Sequence, residues 1–154
     1  MADTDLNAAT LTVTITEALA VGHDNGSTDN LDFAQTYTHT FGSIINTSKR
    51  IVKLANTNLT EVATFGADTT DGAFVRADVR YIRVTNLDGT DALQVGLDDE
   101  ASDACYTSVA ANSSIIYTSV VCEGGNGGTT LDNATALKVK GIANQQLEVF
   151  IASV

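Results

Sequence analysis

The strongest constraint on this chain is a two-residue alternation of apolar and polar side chains that recurs along most of its length. It is clearest in residues 79–97. Ile82 and Val84 fall on one side of the first run, with Tyr81, Arg83 and Thr85 on the other, and Leu93, Val95 and Leu97 share a face of the second. Side chains alternate across a strand, so runs of this kind form half-buried strands and not helices. Asn86 and the Asp88-Gly89 pair lie between the two runs. Gly supplies the positive φ that a tight turn needs, so the stretch reads as a β-hairpin.

The same period marks other segments. Leu11, Val13 and Ile15 alternate with Thr12, Thr14 and Thr16, while Phe33, Gln35, Tyr37, His39 and Phe41 alternate with Ala34, Thr36, Thr38 and Thr40. Residues 44–54, 61–65, 104–109 and 114–121 give further short strands, and Leu137, Val139, Leu147, Val149 and Ile151 supply the apolar positions of two closing ones. Residues 17–21 suit either a strand or a helix but are too few to hold a helix alone. The chain has 22 Thr and no Pro, and Thr packs well on a pleated surface. About ten short strands with turn signals between them predict an all-β fold, an antiparallel β-sandwich of jelly-roll type. The expected organisation is a polar N-terminal arm at residues 1–10 and a single sandwich domain over 11–154. A chain of 154 residues is long enough for one core that buries roughly two-thirds of the unfolded surface.

Charge narrows the function classes. The formal net charge is −11, which repels nucleic acid and anionic membranes, so neither is an expected partner. The eight cations fall in three groups: Lys49, Arg50 and Lys53; Arg76, Arg80 and Arg83; Lys138 and Lys140. Each could dock on an acidic neighbour. The opening residues lack the charged and apolar regions of a signal peptide, and no apolar run approaches the roughly 20 residues of a membrane span.

Motifs for chemistry are weak. Asp24, Asn25 and Gly26 do not follow the order of a calcium-binding loop, and the Gly-rich stretch 123–128 lacks the Lys-Ser/Thr of a phosphate loop. Asp98, Asp99, Glu100 and Asp103 form an acidic loop that could hold a hard cation, although consecutive charges in a loop more often face water. His39 reads as a half-buried strand residue with no Ser/Asp arrangement beside it, and His23, His39, Cys105 and Cys122 have no zinc-site spacing. Cys105 and Cys122 can pair or stay free. Five Asn-x-Ser/Thr triplets, at Asn25, Asn46, Asn58, Asn112 and Asn133, reflect a composition rich in Asn, Ser and Thr. No cofactor and no catalytic residue is expected.

Two segments carry a resemblance. Residues 79–88, Val-Arg-Tyr-Ile-Arg-Val-Thr-Asn-Leu-Asp, and the ending 139–152, Val-Lys-Gly-Ile-Ala-Asn-Gln-Gln-Leu-Glu-Val-Phe-Ile-Ala, resemble parts of small all-β virion structural proteins of tailed bacteriophages. The resemblance implies a non-enzymatic decoration or cement protein on the outer surface of the capsid, assembled in the host cytoplasm. Its partners would be the major capsid protein and neighbouring copies of itself in a homo-oligomer. A tail or fibre component is the first alternative. A glycan-binding sandwich is the second, although such sites usually stack an exposed aromatic on a sugar, and the chain has no Trp and four Tyr. Within the implied role, Arg76, Arg80 and Arg83 are the candidates for docking on the coat, together with the 1–10 arm.

Overall fold

The computed structural model describes residues 8–19, 33–66, 74–99, 104–118 and 134–154, and in them the fold is all-β. The chain divides into two compact units, Met1–Ile44 and Ile45–Val154. The division therefore falls between Ile44 and Ile45, whereas the sequence suggested a boundary after residue 10.

The first unit contains β1 (Ala9–Leu19) and β2 (Phe33–Ile44), which pair antiparallel and only with each other among the described residues. The ambiguous run at 17–21 thus continues β1 as far as Leu19. The register sets Leu11 opposite Phe41, Val13 opposite His39 and Ile15 opposite Tyr37. The intervening pairs are Thr12–Thr40, Thr14–Thr38 and Thr16–Thr36, so one face of the ribbon is apolar and the other is threonine. One extra residue on β2 near Ser43, at φ 59°, shifts the register between Leu11–Phe41 and Ala9–Ile44.

The second unit is a sandwich of two sheets. One runs β5 (Phe74–Val75), β4 (Thr60–Gly66), β10 (Ala134–Lys140), β7 (Leu93–Asp99), β8 (Ala104–Val109). The other runs β3 (Asn46–Lys53), β11 (Gln146–Ser153), β6 (Val79–Asn86), β9 (Ser114–Tyr117). All pairings are antiparallel except the short parallel contact of β4 with β5, and a 3-10 turn at Arg76–Asp78 joins β5 to β6. The inward positions of both sheets form one core: Val62 and Phe65 from β4, Ile82 and Val84 from β6, Leu93, Val95 and Leu97 from β7, Leu137 and Val139 from β10, and Leu147, Val149 and Ile151 from β11. These include the apolar positions that the alternation assigned to a buried face. Burial at about 25 cal/mol per Å² makes this layer the main source of stability.

The structure corrects the reading of residues 79–97 as a hairpin. β6 and β7 do not pair; they lie in different sheets, and residues 87–92 carry the chain from one to the other. The reason lies in a buried polar cluster at that crossing. Asn86 and Gln145, both almost wholly buried, bond to each other through Gln145 Nε2 and Asn86 Oδ1 at 3.2 Å. Asn86 Nδ2 donates to the carbonyls of Asp91 (2.7 Å), Val109 (3.2 Å) and Ala110 (3.2 Å), and Asn86 Oδ1 accepts from the Asp88 N–H (3.1 Å). Gln145 Nε2 also donates to the Asp91 carbonyl (3.0 Å), and Gln145 Oε1 accepts from the Ile142 N–H (3.0 Å). Asp88 then closes its own loop, its carboxylate accepting from the N–H groups of Thr90 (2.9 Å) and Asp91 (3.0 Å), which holds its pKa below the usual value. Asn112 and Asn144 adopt left-handed backbone, φ 54° and 69°, which Asn tolerates, and donate their N–H groups to the carbonyls of Asp88 and Leu54. Residues 87–92 are therefore shaped to close one end of the sandwich and not to return beside β6.

Other differences are smaller. β9 ends at Tyr117, β2 takes in Ile44, and β3 begins at Asn46. His23, residues 24–26, residues 100–103, Cys122 and residues 123–128 lie outside the described residues, and with them most of the acidic loop and the Gly-rich stretch. The 1–10 arm lies largely outside as well, but Ala9 and Thr10 already belong to β1.

The buried cluster generates a first prediction. Asn86→Ala and Gln145→Ala should each lower the unfolding free energy by about 2–4 kcal/mol in chemical denaturation, because each strands buried partners of the lost amide. The double variant should lose less than the sum, since the two side chains bond each other. A Cβ at Gly141 would overlap Gln145 Oε1 and reach 2.9 Å from Leu54 Cδ1, so Gly141→Ala should cost about 1–3 kcal/mol by displacing the same amide.

Candidate functional site

With the inner faces committed to the core, anything the second unit does to another molecule falls on its outer faces and edges. The outer face of the four-stranded sheet is built in two rows by the strand register. One row runs Ile116, Arg83, Phe150, Lys49, and the next runs Ser114, Thr85, Glu148, Ile51. Tyr81, Arg83 and Thr85 occupy this side of β6, as the alternation predicts.

Glu148 joins the two rows. Its carboxylate bonds Arg83 Nη2 at 2.5 Å and Lys49 Nζ at 3.1 Å, so one acid sits between two cations from the flanking strands. The Lys49 bond, followed by that of Arg83, holds its pKa below the usual value against the opposing effect of desolvation. The Arg83 guanidinium also lies 5.9 Å from the Phe150 ring centroid, within cation–π range, and Tyr81 meets the same ring edge-on at 5.9 Å. Tyr81 is buried although it points outward, and that burial raises the pKa of its hydroxyl. Beside this cluster Ile51 is 65% exposed, and Lys49, Arg50 and Lys53 are exposed along β3, the open edge of the sheet.

The three arginine candidates do not form one patch. Arg76 is half-buried in the 3-10 turn. Arg80 turns back on that turn, its Nη1 donating to the Ala77 carbonyl at 2.6 Å. Arg83 is held by Glu148. The exposed basic run belongs instead to β3.

The outer face of the five-stranded sheet carries a second feature. Lys138, Gly96 and Tyr106 lie in one row, and Asp98 stands beside it on β7. Across the gap left by Gly96, Lys138 Nζ and Tyr106 Oη both bond the Asp98 carboxylate, the latter at 3.0 Å. The bond to Asp98 raises the Lys138 pKa, and burial together with Asp98 raises that of Tyr106. Asp98 is thereby engaged inside the sheet face. Next to it opens a shallow groove of about 380 Å³ lined by Thr57, Asn58, Leu59, Gln94, Tyr106 and Lys140.

Among the described residues no three His, Cys, Asp or Glu side chains gather as metal ligands, and no helix is long and apolar enough to cross a membrane. His39 is exposed on β2 with its ring 4.4 Å from that of Phe41, where the sequence suggested a half-buried histidine. Sequence reasoning missed Glu148, Phe150 and the Asp98–Lys138–Tyr106 set. Their outward positions follow from alternation, but their partners follow from strand order, for which one sequence holds no signal. No family model, curated protein or solved structure matches the chain.

The Glu148 cluster makes a pH-dependent prediction. A carboxyl with a depressed folded pKa adds stability that is fully present above its unfolded value, about 4.3, and is lost as pH falls through the folded value. Glu148→Gln should therefore be less stable than the unsubstituted protein by about 1 kcal/mol at pH 7, a surface-pair magnitude because Lys49 is largely exposed. Urea midpoints should show that difference shrinking as pH is lowered past 4.

Proposed function

We propose that this chain is a non-enzymatic structural protein of a virion, a decoration protein that seats on the outside of a coat lattice and braces it. The observation that carries the reading is the strand order. With the two-residue β5 set aside, the eight strands of the second unit, taken in chain order, are β3, β4, β6, β7, β8, β9, β10 and β11. One sheet then has the order first, eighth, third, sixth, and the other second, seventh, fourth, fifth. We read this as the double Greek key of a jelly roll, an architecture that serves capsids and lectins among other roles. The resemblance of residues 79–88 and 139–152 to phage structural proteins supports the capsid branch of that choice. The first segment lies on β6 and the start of the crossing that follows it, and the second runs from the last two residues of β10 through the turn into β11, so both reach the four-stranded sheet.

In this reading the acidic character keeps copies soluble and away from packaged nucleic acid, while contact with the coat uses exposed cations. Arg83, Arg80 and Lys49 are held within the chain, so Arg50 and Lys53 on the open edge of β3 are the better docking group. Copy number per particle from quantitative mass spectrometry tests the role directly. A number matching the equivalent sites of a coat lattice supports decoration; a handful of copies points to a tail or fibre part. Re-addition to stripped particles should show lower occupancy for Arg50→Glu with Lys53→Glu than for Lys140→Glu.

The groove beside Tyr106 favours a second reading, a glycan site. Tyr106 offers a partly exposed ring held in place by Asp98, with Asn58, Gln94 and Lys140 around it as hydrogen-bonding groups. Glycan-array binding that is lost in Tyr106→Ala would favour this reading; silence across the array would set it aside.

A further inference from the structure

The sheet edges of the second unit differ in length and charge. β5 has two residues, β9 four and β8 six, and none of the three carries a charged side chain. β3 is longer and basic. Its eight residues pair with β11 from Asn46 to Lys53 without a break in register, and its other edge meets no strand among the described residues. Just past its end, the Leu54 N–H donates to the Gln145 carbonyl at 2.9 Å. Bonded positions recur every second residue along an antiparallel ladder, so Ser48, Arg50 and Val52 turn their backbone groups to β11. Thr47, Lys49, Ile51 and Lys53 therefore turn their N–H and C=O groups to the open edge.

Charge says what that edge accepts. Lys49, Arg50 and Lys53 place three of the chain's eight cations on this one strand, in a molecule of net charge −11. Lys49 shares Glu148 with Arg83, while Arg50 and Lys53 are exposed on opposite sides of the strand. We propose that the open edge of β3 takes an extended acidic segment of another protein as an added strand. Main-chain bonds to alternate residues of β3 supply affinity, and the neighbouring side chains supply specificity. Directly opposed residues are cross-strand neighbours, so Lys53 and Arg50 each select an acid, and the exposed Ile51 selects an apolar residue.

A second copy does not meet this demand. Twofold pairing of β3 with itself about Ile51 sets Lys49 of one copy against Lys53 of the other, and like charges so opposed are destabilising. Among the other described strands with an open edge, β1 carries one acid, Glu17, and β2, β5, β8 and β9 carry none. The cations that guard the edge against copies of the chain thus favour an acidic strand from a different molecule.

Assigning that strand to a coat protein rests on the virion reading; the strand site itself does not, and its test needs no particle. The probe is a capped eight-residue peptide of Thr with two Glu and one Val, placed to face Arg50, Lys53 and Ile51 in antiparallel register. Titrated against the full purified chain, it should bind saturably and more weakly as salt is raised. Amide exchange should slow at Lys49, Ile51 and Lys53 and stay unchanged at Arg50 and Val52, whose N–H groups already face β11. Arg50→Glu with Lys53→Glu should weaken binding by about tenfold or more, and the same peptide with Lys in place of Glu should not bind the unsubstituted chain. No binding of the Glu peptide at about 1 mM would overturn the proposal. So would binding that leaves exchange at those three amides unchanged, which is attraction without an added strand. A copy number of a handful per particle would instead remove the decoration role and leave the β3 site standing.

Discussion

The hydrogen bond between the side chains of Asn86 and Gln145 decides how the second unit is wired. Two carboxamides in a place almost closed to water carry donors and acceptors that must all find partners, since each one left unmet costs about 1–3 kcal/mol. They meet that demand from four segments: the end of β6, the crossing 87–92, the turn after β8 and the turn before β11. An apolar core of alternating Val, Leu and Ile accepts more than one strand pairing with little difference in buried area. The amide pair accepts only an arrangement that brings these four segments to one end. Hydrophobic burial supplies most of the stability, and the buried polar cluster supplies the choice among alternatives.

The outer faces follow a related logic with weaker interactions. On each sheet a carboxylate is held between groups from neighbouring strands: Glu148 between Lys49 and Arg83, and Asp98 between Lys138 and Tyr106. The bonds of Glu148 to Lys49 and Arg83 and of Asp98 to Lys138 link strands far apart in sequence, and bonds to charged groups are stronger than neutral ones but moderated by solvent. They also use up much of the scarce positive charge. Of the eight cations, Lys49, Arg83 and Lys138 are paired with acids inside the chain, and Arg80 is turned onto a backbone carbonyl. What is left exposed lies chiefly on the edge strand β3, at Arg50 and Lys53.

The sequence made the strands legible but not their neighbours. A period of two places Ile82, Val84, Leu93, Val95 and Leu97 in the core whichever strand lies beside them, and all five are buried there. The same period made β6 and β7 look like the arms of a hairpin, because Asp88-Gly89 is turn chemistry and sequence separation is small. Turn chemistry fixes a local bend; it does not say whether the chain comes back along the same sheet or passes to the facing one. The discriminating residue was Asn86, visible as a polar position at the end of an apolar run, but its meaning depends on Gln145, 59 positions later. The candidate site shares this limit. Arg83 was rightly placed on an outward face, yet its pairing with Glu148 rests on the register of β6 against β11, which joins the middle of the chain to its end.

The ribbon shows the same alternation outside the sandwich. Its alternation is as regular as that of any strand in the sandwich, and its cross-strand pairs are well matched: aromatic against aliphatic on one side, threonine against threonine on the other. A sheet with one apolar face is complete only when a second layer covers that face, as β10 and β11 do for each other across the core. Within the sandwich, then, alternation and topology agree. In the ribbon the same alternation describes a face that is buried at Phe41, 7% exposed, and open at Ile15 and Tyr37, 45% and 49% exposed. A period of two therefore says which side of a strand is apolar, while the burial of that side depends on what lies over it, and a single sequence shows the first far more plainly than the second.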